Sequence, residues 1–253
     1  MHYMAKTMID LRKLTTLFLA GMLACAAAQA DDYRFELGGA FDHIGFDDSP
    51  DADIISVGGT FYLKPVPTDG LPLAEAWFLN RSSFVNASLS RLDFAGENAD
   101  LLDANFGYYI PNTIFYARVG VAKTNEDLGL DDDTLVYGSF GITPIDGLRV
   151  TTDFTEDGWD ANATARYVGK MGNDHYYAAM VSVRDPDDDD VNVGLDFDYF
   201  LDHTLSIGGG VSTGSDNVRI RAEKFFMTNF AVGGRIYFGD DGDGLGATVK
   251  WRF

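Results

Sequence analysis

The sequence predicts an all-β chain: a transmembrane, up-and-down antiparallel β-barrel of about fourteen strands, with roughly 12–16 the range its spans allow. Three observations predict it. Side chains alternate between apolar and polar in segments of about ten residues, the length a tilted membrane-crossing strand needs. The connections between those segments sort into two alternating kinds, one acidic and one short. The segment Val249-Lys250-Trp251-Arg252-Phe253 places Val249, Trp251 and Phe253 on one face of a strand and both cations on the other.

The strands follow in order. Near the start, Tyr33, Phe35, Leu37 and Phe41 oppose Arg34, Glu36 and Asp42. Expected spans are 33–43, 53–64, 82–94, 100–110, 113–123, 134–143, 147–156, 159–169, 174–184, 191–200, 204–213, 216–226, 229–238 and 245–253. In 191–200, Val191, Val193, Leu195, Phe197 and Tyr199 oppose Asn192, Asp196 and Asp198. In 230–238, Phe230, Val232, Ile236 and Phe238 oppose Arg235 and Tyr237. Only 82–94 breaks parity, because Leu89 and Arg91 share one face while Leu92 and Phe94 share the other. A bulge near Ser90 is the expected repair.

The acidic connections hold Asp47, Asp48 and Asp51, Glu97 and Asp100, the run 125–133 (NEDLGLDDD), Glu156 and Asp157, the run 185–190 (DPDDDD), Asp216, and Asp240, Asp241 and Asp243. The other set is short and turn-like, at Pro111-Asn112, 144–147, 171–174, 201–203 and 227–229. Its long member, 65–81, is Pro-rich and then reads LPLAEAWFLNR. In an up-and-down barrel every second connection lies at one end, so the acids gather at a single mouth. A barrel of this width cannot be filled by its own side chains, since about eight strands already suffice for a packed interior. The apolar face therefore points to lipid and the polar face lines a lumen. Aromatic residues at strand ends fit two interfacial girdles: Tyr33, Phe41, Trp159, Tyr167, Tyr199, Phe230, Phe238, Trp251 and Phe253.

The N-terminus reads as a secretory leader. Lys6, Arg12 and Lys13 precede the apolar run 14–24, and Ala28-Gln29-Ala30 supplies a small-x-small cleavage pattern. The expected division is 1–30 signal peptide and 31–253 outer-membrane barrel. The one cysteine, Cys25, leaves with the leader; the rival reading, acylation at Cys25, faces a poor lipobox in Met22-Leu23-Ala24. Without Lys6, Asp10, Arg12 and Lys13, the remaining chain carries 16 basic and 38 acidic side chains, net −22. Such a surface repels nucleic acid.

The lumen face carries the functional candidates. Arg219, Arg221, Arg235, Lys250, Arg252 and Arg34 fall on the last strands and the first, which barrel closure makes neighbours. Glu36, Asp42, Asp103, Asp153, Asp196 and Asp198 are expected elsewhere on the inner face, with Arg118, Arg149 and Arg166 completing the pore lining. A basic wall facing acidic groups would set a transverse field on dipolar solutes. Small inward residues, Gly38, Ala40, Ser56, Gly58, Gly194, Ser206, Gly208, Gly210 and Gly233, favour an open bore. His43, His175 and His203 sit at expected strand ends and no motif fixes them into a catalytic set. Asp240, Asp241 and Asp243 are weak calcium candidates that do not complete an EF-hand. No metal, cofactor or enzymatic activity is expected.

The terminal Trp251-Arg252-Phe253 resembles the C-terminal strand of Gram-negative outer-membrane β-barrels, which implies that Trp251 and Phe253 are read by the barrel-assembly machinery. Thr60-Phe61-Tyr62-Leu63-Lys64-Pro65-Val66, followed by Gly70-Leu71-Pro72-Leu73-Ala74-Glu75-Ala76-Trp77-Phe78-Leu79, resembles the second strand and following turn of a family of proteobacterial putative general porins. That resemblance implies passive diffusion of small hydrophilic solutes across the outer membrane, with lipid and lipopolysaccharide as surroundings and a homo-oligomer as one arrangement. The third outer connection, Asn125 to Asp133, is short beside the inward-folded loop of trimeric porins. The expected channel is weakly cation-selective because of its acidic mouth. The alternatives are an adhesive or structural barrel with an occluded lumen and, less favoured, an outer-membrane hydrolase.

Overall fold

The computed structural model describes residues 32–46, 49–126, 133–156, 158, 161–172, 175–185, 191–213, 217–239 and 242–253. The expected signal peptide, most acidic runs and Trp159 lie outside these residues. Fourteen strands close into one antiparallel barrel in which each pairs with its sequence neighbours and the last pairs with the first. They are β1 (Asp32–Gly45), β2 (Ala52–Pro67), β3 (Phe84–Phe94), β4 (Glu97–Tyr109), β5 (Phe115–Glu126), β6 (Asp133–Ile142) and β7 (Leu148–Thr155). Then follow β8 (Ala161–Met171), β9 (His175–Asp185), β10 (Asn192–Phe200), β11 (Leu205–Ser212), β12 (Asn217–Met227), β13 (Phe230–Phe238) and β14 (Asp243–Arg252). One helical segment interrupts the rhythm, a 3-10 turn at Leu73–Glu75 running into the single-turn helix α1 (Ala76–Leu79).

Closure satisfies backbone groups that an open edge would leave bare in lipid. β1 and β14 pair from Glu36↔Arg252 to Gly45↔Asp243. Phe253 extends the seam: its N–H donates to the Phe35 carbonyl (2.8 Å), and its own carbonyl accepts from Arg34 (2.7 Å) and Phe35 (3.0 Å). Ile55, Val119, Ile220 and Leu245 are more than half exposed. Apolar side chains this open to the surroundings mark the outer face as the one that meets lipid.

Two expectations need correction. Pairing of β3 runs unbroken from Phe84 to Phe94 on both sides, so there is no bulge near Ser90. The parity change arises because the strand outruns its alternating stretch: Phe94 packs edge-on against Phe46 (6.2 Å), and Arg91 pairs with Asp100 at 2.6 Å. The register shifts lie instead between Tyr33 and Phe35 and between Phe225 and Met227. The first has a consequence. Tyr33 and Glu36 both reach buried partners inside, while Arg34 is left outside, over the Phe61 ring (5.5 Å) and donating to the Leu63 carbonyl (2.6 Å). Arg34 is therefore not a lumen residue, and Tyr33, 4% exposed, is not a girdle residue.

The buried apolar residues gather around the segment 66–79. Phe78 packs with Val168, Tyr176, Ala178 and Phe200. Ala76 and Val66 pack with Tyr33 and Tyr62, and Leu73 with Phe225 and Ala231. These partners come from β1, β2, β8, β9, β10, β12 and β13. A single connection can touch strands so far apart around a closed barrel only from within. The 65–81 connection is thus an inward-folded plug, at the end of the barrel that holds the short turns and both described chain ends.

Candidate functional site

The site is the lumen above that plug. Alternation alone puts Arg149, Asp153, Arg166, Asp196, Asp198, Arg219, Arg221, Arg235, Lys250 and Arg252 on the inner face, and neighbouring strands then decide their partners. Arg221 bonds Asp198 bidentately (2.7 and 2.6 Å) and Asp196 (2.6 Å); Arg219 also donates to Asp196. Arg235 makes a bidentate pair with Asp42. Lys250 meets Glu223 at 2.6 Å, and Arg252 meets Glu36 at 2.6 Å. Arg118 reaches Ser139 at 3.0 Å and Asp153 at 3.5 Å, and Asp103 accepts from the Tyr137 hydroxyl at 2.5 Å.

Apart from Arg34 the cations of the expected basic wall share one wall, and the acids that pair with them lie beside them in that wall, while Asp103 and Asp153 stand on β4 and β7 with Tyr137 and Arg118 as partners. Asp196 and Asp198 on β10 reach Arg219 and Arg221 on β12 by crossing β11, where Gly208 and Gly210 stand between them. A Cβ on Gly208 would collide with the Asp198 carboxylate, and one on Gly210 would lie 2.5 Å from the Asp196 Oδ1. A Cβ on Gly246 would likewise strike the Asp42 carboxylate. These glycines make room for charged side chains lying flat along the wall. They do not widen an empty bore.

The plug is fastened to the same wall. Arg252, 1% exposed, donates to the Leu73 carbonyl at 2.9 Å. The Leu73 N–H donates to the His203 carbonyl (2.8 Å), and the Tyr176 hydroxyl to the Gly70 carbonyl (2.9 Å). Arg166 donates to Glu75 Oε1 at 2.5 Å, while the buried Glu75 Oε2 has no hydrogen-bond partner. Burial pushes the Glu75 carboxyl above its ordinary pKa, with Arg166 pulling the other way. Arg149 meets aromatic faces: its guanidinium lies 4.6 Å from the Tyr116 ring centroid and 5.1 Å from that of Phe78, and donates to the Tyr109 hydroxyl (2.8 Å). The plug was the feature that strand alternation could not reveal.

A closed fourteen-strand barrel, apolar outside and charged within, invites comparison with known channels. The chain resembles the putative general bacterial porins. The profile of that family matches residues 8–105, which include β1, β2, the plug and β3. Among solved structures, the outer-membrane protein Omp33 of Acinetobacter baumannii superposes with a TM-score of 0.74 at 21% identity, covering 89% of this chain and 100% of that one. The KdgM porin gives a TM-score of 0.44 at 9% identity over 85% of this chain and 99% of that one. An engineered variant of the Rh. blastica porin gives 0.44 at 10% identity, over 88% and 99%. No curated protein sequence matches significantly.

Residues outside this porin-like lumen carry less. His43 pairs with Asp53 at 2.9 Å at the mouth, and His175 stacks on Tyr199 (5.7 Å) at the plug end. Asp240 and Asp241 lie outside the described residues, which hold no group of three or more metal-ligating side chains. No helix among them is long and apolar enough to cross a membrane, which says nothing of strands.

Proposed function

We propose that this chain is a non-enzymatic channel of the Gram-negative outer membrane for small hydrophilic solutes and ions. The observation that carries the reading is the inversion of the barrel: large apolar side chains exposed outside, ion pairs and hydroxyls inside a closed cylinder. The porin resemblance supports it. Outer-membrane lipid and lipopolysaccharide surround the apolar face, and Trp251 and Phe253 form the signal read by the assembly machinery. The acidic connections concentrate cations at the mouth, so the channel prefers cations weakly at low salt, where the Debye length is ~30 Å at 0.01 M.

The plug favours a second reading, a barrel whose lumen stays occluded. Planar-bilayer recording separates the two. Under the channel reading the full chain passes discrete current steps, and a variant with 71–79 replaced by a short Gly-Ser linker passes several-fold more. A silent full chain beside a linker variant that conducts, both folded, establishes a barrel occluded by its plug, and silence of both overturns the channel reading. Converting Asp187 to Asp190 to Asn lowers the cation preference read from reversal potentials; an unchanged potential removes the mouth as its source.

A further inference from the structure

Above the plug lies a cavity of about 420 Å³ whose floor is Ala74, Glu75 and Trp77. Five cations line it, Arg166, Arg219, Arg221, Arg235 and Lys250, together with Glu75, Asp196, Asp198 and Glu223. By formal charge this wall is nearly neutral. By depth it is not. In the ion pairs at the cavity the cation is the more exposed partner, whereas Arg252 with Glu36, beside the plug, reverses the order. Arg219 is 37% exposed and Asp196 14%; Arg235 is 27% exposed and Asp42 9%; Arg166 is 26% exposed and Glu75 6%. Lys250 and Glu223 repeat the order at 32% and 16%.

The donors are not used up. A guanidinium offers five N–H groups in a planar fork. Hydrogen bonds to the acids take one donor of Arg219 and one of Arg166, two of Arg235 and three of Arg221. The Nε–H groups of Arg219 and Arg166 are buried, and a solute entering the cavity meets the more exposed part of each cation first and the carboxylates second. Because Coulomb energy falls with distance, the nearer layer dominates. The confined site also screens this attraction less than open solvent does.

We propose that the cavity is a binding site for small organic anions bearing carboxylate or phosphate groups. The volume suits a solute of metabolite size, within the ~300–1,000 Å³ of small-molecule pockets. Arginine forks match both oxyanions, which share this chemistry. The acidic mouth does not oppose it: at physiological salt the mouth's field decays over ~8 Å, short of a site set deep in the barrel. The proposal rests on the channel reading only in requiring that solvent reach the cavity. Binding is measured without current, so either idea can fail alone.

The test is equilibrium dialysis of the full chain, folded in detergent, against labelled citrate, glycerol 3-phosphate, glycerol and lysine. At least one of the two anions should bind about tenfold or more tightly than glycerol or lysine. Which anion binds identifies the group recognised. A folded Arg219→Gln/Arg221→Gln double variant should lose that preference, and Ser90→Ala, outside the cavity, should keep it. Folding is checked by the mobility difference between boiled and unboiled samples. If the double variant does not fold, Arg219→Lys, which keeps the charge and loses the fork, should weaken binding several-fold. Glycerol or lysine binding as tightly as both anions, or anion binding unchanged in a folded double variant or in Arg219→Lys, overturns the proposal.

Discussion

The lumen has two unlike walls. Across β10–β14 and β1 the inner face is an ionic mesh of Arg219, Arg221, Arg235, Lys250 and Arg252 with Asp196, Asp198, Asp42, Glu223 and Glu36. Across β2–β4 it is a net of hydroxyls and amides around a single carboxylate, Asp103. The Ser56 and Ser90 hydroxyls lie 2.8 Å apart, Asn86 donates to Thr60 Oγ1 (2.9 Å) and to the Gly59 carbonyl (3.2 Å), and Asn105 donates to Asp103 Oδ1 (2.7 Å). Both walls satisfy their polar groups locally, along a strand, between nearby strands or on the plug, and neither does so across the open lumen. The difference teaches that a polar inner face is a local bargain struck between nearby groups. The ionic wall needs glycine in between, because a guanidinium laid against a carboxylate takes the space of a neighbouring side chain, and Gly120 serves the same end where the Tyr137 ring crosses toward Asp103.

The comparison is broken most severely at Arg252. Arg252→Met leaves the half-buried Glu36 without its partner and frees the Leu73 carbonyl. Loss of a buried ion-pair partner costs about 3–5 kcal/mol, and urea unfolding in detergent should register it. Gly210→Ala comes next: its Cβ must displace the Asp196 carboxylate and disturb both arginines, at about 1–3 kcal/mol. On the β2–β4 wall, Ser90→Ala removes one hydroxyl pair and should cost only about 0.5–1.5 kcal/mol. If Gly210→Ala and Ser90→Ala cost the same, the two walls are not energetically distinct.

A pH experiment sharpens the contrast further. The raised pKa of Glu75 means that the folded chain holds its proton to higher pH than the unfolded chain does. This contribution to stability is therefore present at low pH and lost as pH rises through the ordinary carboxylate range toward the raised value. Midpoints of urea unfolding taken from about pH 4 to about pH 8 should fall less steeply with rising pH in Glu75→Gln than in the native chain. Equal slopes would show that Glu75 titrates as it does in the unfolded state.

Most of the barrel was legible in the sequence. Alternation is a strict period of two, so Val193, Leu195 and Phe197 against Asp196 and Asp198 declare both the strand and its faces. The observed strands lie within a few residues of the expected ones. Partners were less legible, since a face does not say that Asp196 reaches over Gly210 to Arg219. Arg34 misled because one register shift changes the face of every residue on one side of it. The plug was named as a long connection but not placed. Its signal was there: Leu71, Leu73, Ala76, Trp77, Phe78 and Leu79 form an apolar run among turns that are otherwise short and polar, and such a run must be covered.

Arg252 ties the barrel seam to the plug. Its side chain joins three pieces of chain distant in sequence: β14, on which it stands; Glu36 of β1; and the Leu73 carbonyl of the plug. Glu36 and Leu73 belong to the first third of the polypeptide, whereas Arg252 is its penultimate residue. In the closed barrel the bond to Leu73 and the bond to Glu36 share one guanidinium. The strands before β14 hold the plug through Arg166, Tyr176 and the His203 carbonyl, and β14 adds the bond from Arg252. One side chain thus belongs both to the seam and to the plug, so that whatever loosens the β1–β14 closure also loosens the connection folded into the lumen.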